Sequence, residues 1–206
     1  MSFLQLFENR SYVAVIFIDI AMQIVMYGAL VWIPLYLSDN FGFKLQTMGL
    51  WSALYFSAGA IGSFVSSYCS DKVFHGNRKI MILTCFIGLI PFLILLSTLG
   101  HANHPLLAFA LCGMGFFGNM AWGPFLALPA EIFSPEVYGK AMGFANGAAY
   151  ISAAFSAKIF SALVVVDALG RKDYTHGWEF IVVCVALGIV AASMVKTGQS
   201  HKAVAG

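Results

Sequence analysis

The sequence predicts an all-α membrane protein in which six transmembrane helices form one bundle. Of its 206 residues, 60% are apolar and only 10% are charged, whereas soluble domains carry about 25% charged residues. Six long apolar segments fill most of the chain, and about 20 apolar helical residues cross a hydrocarbon core of about 30 Å. A strand in lipid would leave backbone groups unpaired, so each span should be a helix. The six segments are Val13–Leu37, Met48–Tyr68, Ile80–Leu99, Leu106–Leu128, Met142–Val166 and Phe180–Val195.

A polar, glycine- and proline-containing break at Gly100–Pro105 divides the chain near its middle. Three predicted spans lie on each side of this break, in halves of about residues 10–100 and 105–196. An odd number of spans gives the two halves opposite orientations in the membrane, which is the geometry of an inverted repeat. We therefore predict a single domain, residues 1–206, built as a 3+3 inverted-repeat bundle.

The basic residues outside the spans are divided unevenly between the two sides of the membrane. Seven would lie on one side and three on the other. Because basic residues favour the cytoplasmic side, we expect both termini in the cytoplasm, here of a bacterial inner membrane. The seven are Arg10, Lys72, Arg78, Lys79, Lys140, Lys196 and Lys202, and the three are Lys44, Arg171 and Lys172.

Several classes of function have no support in the sequence. There is no nucleophile–base set, no phosphate-binding glycine loop and no cysteine or histidine spacing typical of a metal site. No block of basic residues suggests nucleic acid. We therefore expect no enzymatic activity, no catalytic residue, no cofactor, no metal and no nucleic-acid partner.

Asp19, Gln23 and Tyr27 follow one another at four-residue intervals on the first predicted span, so they share one face of the helix. A carboxylate at the bilayer centre costs about 2.5 kcal/mol or more, and such a residue marks a functional hypothesis. We interpret this face as the lining of a solute path that binds a proton, a cation or a polar solute. The alternative is an acid near the cytoplasmic boundary that water and packing stabilise.

The fifth predicted span carries Lys158, which lies well inside the span. It shares a stripe with glycines 139, 143 and 147, whose spacing is typical of a helix-packing seam. The functional interpretation is a positive charge in an anion path, and the alternative is a lysine that snorkels to the outer edge. Asn146 and Tyr150 occupy another face of this span and are also path candidates.

The second and fourth predicted spans add three further candidates for the solute path. Asn119 and Trp122 lie one turn apart, just before Pro124, which permits a bend in the fourth span. Tyr55 begins a series with Gly59, Gly62 and Ser66 on the second span. Packing is the stronger interpretation for these small residues, whereas Tyr55 could face the path. A packed, kinked helix is likewise the alternative for Asn119 and Trp122.

The connection between the second and third spans carries four charged residues, Asp71, Lys72, Arg78 and Lys79. Asp71 ends a helix whose dipole disfavours an anion there, so it needs a positive partner. Arg78, Lys72 and the start of the fifth span after Ser134 are candidates. We expect a cytoplasmic latch that closes in one conformation and opens in another. A solvated pair, worth about 0–1 kcal/mol, is the alternative.

This connection, Gly62-x8-Asp71-Lys72-x3-Gly76-Asn77-Arg78-Lys79, resembles the signature loop of the major facilitator superfamily. Its form is most similar to the organophosphate/phosphate antiporter branch and the neighbouring anion/cation symporters. Tyr27-Gly28-x3-Trp32-x-Pro34 resembles the seventh helix of that branch, and Glu131 with Gly143-Phe144 resembles its tenth-to-eleventh region.

The resemblance covers residues from about Ser11 to Val195 and implies the C-terminal six-helix half of a twelve-helix transporter. It also implies that the first, second, fourth and fifth spans face a central path. Phosphate-recognising members carry an arginine at the position of Met26, which is a departure in this chain. Lys158 is a candidate replacement for that positive charge.

The expected function is therefore half of a secondary active transporter, which moves a small polar, anionic organic solute by alternating access. Proton coupling through Asp19 is one option. The expected partners are the lipid bilayer, the solute, and a second six-helix half or a copy of the chain itself. The alternative is a non-transporting membrane subunit or an inert fragment of a longer transporter.

Overall fold

The computed structural model describes residues 3–99 and 104–196, which are almost entirely helical. The helices are α1 (Phe3–Glu8), α2 (Arg10–Phe41), α3 (Leu45–Tyr68), α4 (Arg78–Thr98), α5 (His104–Met120), α6 (Trp122–Ile132), α7 (Pro135–Leu163) and α8 (Thr175–Met194). A π-helical turn, Cys69–Val73, continues α3 without a break, and two short strands, β1 (Val165–Val166) and β2 (Lys172–Asp173), connect α7 to α8.

Within residues 3–99 and 104–196, five helical segments are long and apolar enough to cross a membrane. They match the first four predicted spans and the last one, with α3 counted together with the π-helical turn and α5 together with α6. The fifth predicted span corresponds to α7, which has 29 residues and is long enough. Its glycines, serines, Asn146 and Lys158 make it less apolar than the other five segments.

The fourth predicted span is broken into α5 and α6 at Ala121. Pro124 lies three residues later and explains the position of the break. Its ring clashes with the carbonyl group four residues earlier, at Met120, and its nitrogen cannot donate a hydrogen bond to that group. The predicted bend in this span is therefore present as a turn between two helices.

The fifth predicted span ends earlier than expected. Helix α7 stops at Leu163, and Val165 and Val166 form β1, which pairs antiparallel with β2. Gly170, with a φ of 77°, lies between the two strands and supplies the left-handed backbone that a tight turn needs. The connection between α7 and α8 is thus a small β-hairpin and not an extension of the helix.

The helices pack in a regular pattern around one main core. Helix α2 packs against α7 and α8, α5 packs against α3 and α4, and α4 packs against α8. Large side chains such as Ile18, Phe86 and Phe125 fill the core. A second apolar cluster joins Leu6 of α1 to Phe133 and to the first turns of α7, where the Tyr12 hydroxyl donates to the Ala141 carbonyl at 2.9 Å.

Helices α3 and α5 approach each other closely because glycines remove side chains from their contact. A Cβ atom on Gly62 would lie 2.2 Å from the Phe116 carbonyl oxygen, and one on Gly115 would lie 2.1 Å from the Tyr55 carbonyl oxygen. Only glycine permits backbones to come this near. Packing is therefore the role of the small residues on α3.

Candidate functional site

Asp19 and Gln23 lie inside the bundle, one turn apart on α2. Their exposed fractions are 0% and 2%. Both carboxylate oxygens of Asp19 and the Oε1 atom of Gln23 are buried without a hydrogen-bond partner among the described residues. An isolated, buried carboxylate is strongly disfavoured unless it is protonated or meets a cation. Asp19 therefore needs a proton or a cation at this depth, and Gln23 adds a further unpartnered oxygen atom one turn away.

Tyr27 continues this face of α2 by one further turn and is half-buried. Its ring meets the ring of Tyr150 on α7 edge-on, with centroids 5.8 Å apart. The structure thus joins two of the predicted path residues across the α2–α7 contact. Tyr150 itself remains exposed on its other side.

Tyr55 and Asn119 lie in the close contact between α3 and α5. The Tyr55 hydroxyl oxygen would be 3.6 Å from a Cβ atom on Gly118, and the Asn119 amide would be 2.5 Å from one on Gly59. The Asn119 amide donates to the Gly115 carbonyl at 3.0 Å, within its own helix. Trp122, just after the break between α5 and α6, is half-buried. Tyr55 and Asn119 therefore belong to a different helix pair from Asp19, and Trp122 begins α6.

The remaining predicted path residues lie on α7. Lys158 is exposed and Asn146 is half-buried. The three glycines of the predicted packing seam would each place a Cβ atom with no neighbouring atom within 4 Å. The seam therefore has no packing partner among the described residues, and Lys158 lies on the same open side of the helix.

Arg78, at the start of α4, is the centre of a group of side chains that we call the Arg78 cluster. Its guanidinium group donates to Asp71 in the π-helical turn, to the Ser70 hydroxyl at 2.8 Å and to Glu131 at 3.3 Å. Its side chain is only 18% exposed, whereas both carboxylates are more than 45% exposed. The cluster joins the ends of α3 and α6 to the start of α4.

The two lysines of the same connection take no part in this cluster. Lys79 donates to the carbonyl groups of Ser193 and Val195, at 2.5 and 2.9 Å. These carbonyls end α8, where the helix dipole favours a cation. Lys72 is exposed and makes no ion pair within the described part of the chain.

At the opposite end of the bundle, Asp39 is the centre of a second group, the Asp39 cluster. It lies in the last turn of α2 and accepts hydrogen bonds from Lys172 at 3.0 Å and from the Tyr174 hydroxyl at 2.5 Å. Burial raises the pKa of Tyr174 well above its ordinary value, and the hydrogen bond to Asp39 adds to this effect. Tyr174 is therefore a stable donor. A cavity of about 370 Å³ adjoins the cluster.

Comparison with known proteins identifies the family. A family model described as Major Facilitator Superfamily matches residues 14–202. This chain belongs to the major facilitator superfamily. The membrane sensor protein UhpC of Escherichia coli is 30% identical over 78% of this chain and 35% of its own length. The phosphoglycerate transporter protein of Salmonella typhimurium is 28% identical over 79% and 34%, and the glycerol-3-phosphate transporter of Bacillus subtilis is 25% identical over 89% and 40%.

The family assignment from the signature loop is therefore confirmed, including its similarity to the organophosphate antiporter branch. The chain is an integral, multi-pass membrane protein of a transport family. It spans only about a third to two fifths of the length of these relatives.

The predicted site residues did not include five members of these two clusters, namely Ser70, Glu131, Asp39, Lys172 and Tyr174. Glu131 is 53 residues from Arg78, and Asp39 is 133 residues from Lys172. The signal that could have found Asp39 is the one that identified Asp71, namely an acid at the C-terminal end of its helix. Tyr174 carried no comparable signal, because nothing local marks it as a hydrogen-bond donor to another helix.

Proposed function

We propose that this chain is one six-helix half of a secondary active transporter for small organic anions. The observation that carries the proposal is the buried, unpartnered pair Asp19–Gln23 on the first long helix of a chain in the major facilitator superfamily. Two relatives named for phosphoglycerate and glycerol-3-phosphate support an anionic solute. Alternating access would move the solute between two bundles that rock around a central site.

The packing of the helices supports a 3+3 inverted repeat within this half. In such a repeat, α2 corresponds to α5, α3 to α7 and α4 to α8. The α2–α7 contact then corresponds to the contact of α5 with α3. In the same way, the α2–α8 contact corresponds to the α5–α4 contact, and the α4–α8 contact corresponds to itself. Each of these contacts is present, as a twofold arrangement requires.

A second bundle would cover the open side of α7. The glycine seam on α7 has no packing partner within the described residues, and small residues of this kind let helix backbones approach closely. The partner would be the other six-helix half, or a copy of this chain. Lys158 would then face the space between the two bundles and attract an anion.

The excess of basic residues supports a cytoplasmic position for both termini, and the bacterial relatives support the inner membrane. Reporter fusions after Val195 and at Asn77 should both be active on the cytoplasmic side, and a fusion at His104 on the periplasmic side. A periplasmic signal at Asn77 would reverse the proposed orientation. The Arg78 cluster would then lie at the outer end and could not be a cytoplasmic latch.

Cysteine accessibility tests the proposed path. In a variant without native cysteines, single cysteines at Asp19, Gln23 and Tyr27 should react with a small water-soluble thiol reagent. A cysteine at Ile18 is the matched control, because this residue is as buried as Asp19 but lies on another face of α2 and should react less. Protection at all three path positions would leave Asp19 as a structural residue.

Proton coupling through Asp19 is tested by transport itself. Vesicles containing the chain and its other half should take up labelled organic anions in a pH-dependent manner, and Asp19→Asn should abolish that dependence while leaving insertion intact. Unchanged pH dependence in Asp19→Asn would exclude this residue as the coupling site.

A second candidate is a membrane sensor that binds a solute without transporting it. It is favoured by the similarity to a relative named as a membrane sensor protein, which is 30% identical. Solute-dependent protection of the cysteine at Gln23, together with absent uptake in the presence of the other half, would favour the sensor. Uptake would favour the transporter.

A further inference from the structure

We propose that Asp39, Lys172 and Tyr174 form a clamp that holds the hairpin between α7 and α8 against the end of α2. We further propose that release of this clamp lets the last part of α2 move away from the bundle and exposes an aromatic cluster beneath it. The clamp itself rests on contacts within the bundle.

Asp39 needs its partners because of its position. It lies in the last turn of α2, where the negative end of the helix dipole disfavours a carboxylate. Lys172 supplies a positive charge at 3.0 Å, and Tyr174 supplies a hydroxyl donor at 2.5 Å. Because Tyr174 immediately precedes α8 and is buried, these two contacts fix both the hairpin and the start of α8.

Pro34 interrupts the backbone hydrogen bonding of α2 just before the last part of that helix. Pro34 has no N–H group, so the carbonyl of Leu30 has no partner in the helical ladder. Gly42 ends the helix in a left-handed conformation, with a φ of 66°. The segment 35–41 therefore lies between a gap in the ladder and a glycine cap, and the clamp connects it to the hairpin.

An aromatic cluster packs against this segment through Tyr36, whose ring meets those of Tyr174 and Trp178 edge-on at 5.6 and 5.7 Å. The cluster contains two buried donors without acceptors. Trp32 is stacked on Phe160 with ring centroids 4.5 Å apart, and Phe160 meets Trp178 edge-on at 5.3 Å. The indole N–H groups of Trp32 and Trp178 are both buried and unpartnered within the described residues. A buried, unpaired donor favours any arrangement that brings it to water or to a polar solute.

The closed arrangement therefore contains two opposing tendencies. The Asp39 contacts favour closure, and the unpaired indole groups favour opening. The neighbouring cavity of about 370 Å³ is lined by Tyr36, Lys172 and Tyr174, so it provides water with a path to this site. A packed element with two opposing tendencies of this kind is suited to switch between two states.

The test is a cysteine at Leu37, which is fully buried and lies between Pro34 and Asp39. In membrane vesicles, a water-soluble maleimide should label this cysteine slowly in a chain without its native cysteines. Asp39→Asn and Lys172→Gln should each raise the labelling rate about three- to tenfold, the range expected for loss of one hydrogen-bonded ion pair. The double variant Asp39→Lys with Lys172→Asp should restore part of the protection.

Arg171→Gln is the matched control. Arg171 precedes Lys172 on the same hairpin, but its partner is Asp167 within that hairpin. Its loss should leave the labelling rate unchanged. Equal labelling in the parent, Asp39→Asn and Lys172→Gln would overturn the clamp, as would an equal rise in Arg171→Gln.

Failure to fold has a separate readout. If Asp39→Asn is not recovered as a monodisperse protein in detergent, Lys172→Gln decides the result, because Lys172 is half-exposed and its replacement should not disturb the core. The labelling needs no solute and no partner bundle. Absent uptake with intact, clamp-dependent labelling would therefore contradict the proposed function alone, and the reverse result would contradict the clamp alone.

Discussion

The Arg78 cluster and the Asp39 cluster lie at opposite ends of the bundle and have opposite charge arrangements. In the first, one cation contacts two carboxylates and a hydroxyl group. In the second, one carboxylate contacts a lysine and a tyrosine. Both clusters place acids at the C-terminal ends of helices, where the dipole disfavours a negative charge.

The difference lies in what remains when the centre of each cluster is removed. Without Arg78, Asp71 and Glu131 would face each other as like charges, each at an unfavourable helix end. Without Asp39, Lys172 can turn toward water, and the burial of Tyr174 leaves one hydroxyl group without its acceptor. Loss of the central residue should therefore destabilise the protein more in the Arg78 cluster than in the Asp39 cluster.

Arg78→Gln is expected to have the largest effect. It removes both ion pairs at once and should lower the free energy of unfolding by about 1–2 kcal/mol, because both carboxylates are partly solvated. Thermal stability in detergent, followed by size-exclusion chromatography, measures this change. Arg78→Lys keeps the charge but loses the planar guanidinium group, so its stability should lie between those of the parent and Arg78→Gln. A stability equal to that of the parent would show that the cluster is only a solvated surface feature.

Asp71→Asn and Glu131→Gln should each have a smaller effect than Arg78→Gln, because Arg78 keeps its other acceptor. Under the proposed function, Asp71→Asn should also weaken transport while leaving the protein inserted. When both acids are replaced, the further change Arg78→Gln should cost little, since no repulsion remains. A double-mutant cycle on thermal stability measures this coupling. Additive effects would contradict a shared network.

Tyr174→Phe should have a smaller effect again. Asp39 loses one of two donors and keeps Lys172, so labelling of a cysteine at Leu37 should rise about twofold, less than in Asp39→Asn. Thr175→Val is a neighbouring control, because its hydroxyl group donates to the Ser97 carbonyl and not to Asp39. A larger rise in Tyr174→Phe than in Asp39→Asn would make the tyrosine, and not the acid, the centre of the cluster.

The smallest expected effect is a pH dependence within the hairpin itself. Hydrogen bonds from the Arg171 backbone and side chain lower the pKa of Asp167 below its usual range. The ionised Asp167 therefore stabilises the hairpin fully at a pH above the ordinary aspartate pKa of about 4. This stabilisation is lost as the pH falls through the lowered pKa. The protection factors of the Leu169 and Arg171 amides, which correct for intrinsic exchange, should fall only in that acidic range, and Asp167→Asn should remove the dependence. A fall in these protection factors near neutral pH would assign the change to another group.

Much of the fold is encoded locally and could be predicted from the sequence. Apolar length defined five of the spans, and Pro124 predicted the bend that the structure shows at Ala121. The π-helical turn at Cys69–Val73 and the hairpin after Leu163 could not be predicted, because no local pattern distinguishes them from continued helix.

The candidate site was less predictable because it depends on contacts between distant helices. The face shared by Asp19, Gln23 and Tyr27 follows from helical periodicity, and its role in transport stays a prediction. The partner of Asp71 was among the predicted candidates, since Arg78 is only seven residues away. Glu131 and Lys172 could not be paired with their partners, because only the folded bundle brings such distant residues together.

The close contact between α3 and α5 has a mechanical consequence. Glycines at 62 and 115 bring the two backbones together at two points, each in contact with a carbonyl group of the opposite helix. Neither helix can slide along the other without driving backbone into backbone. Any tilt of this bundle must therefore carry α3 and α5 as one body, and the break at Ala121 is the joint at which α6 can follow a different course.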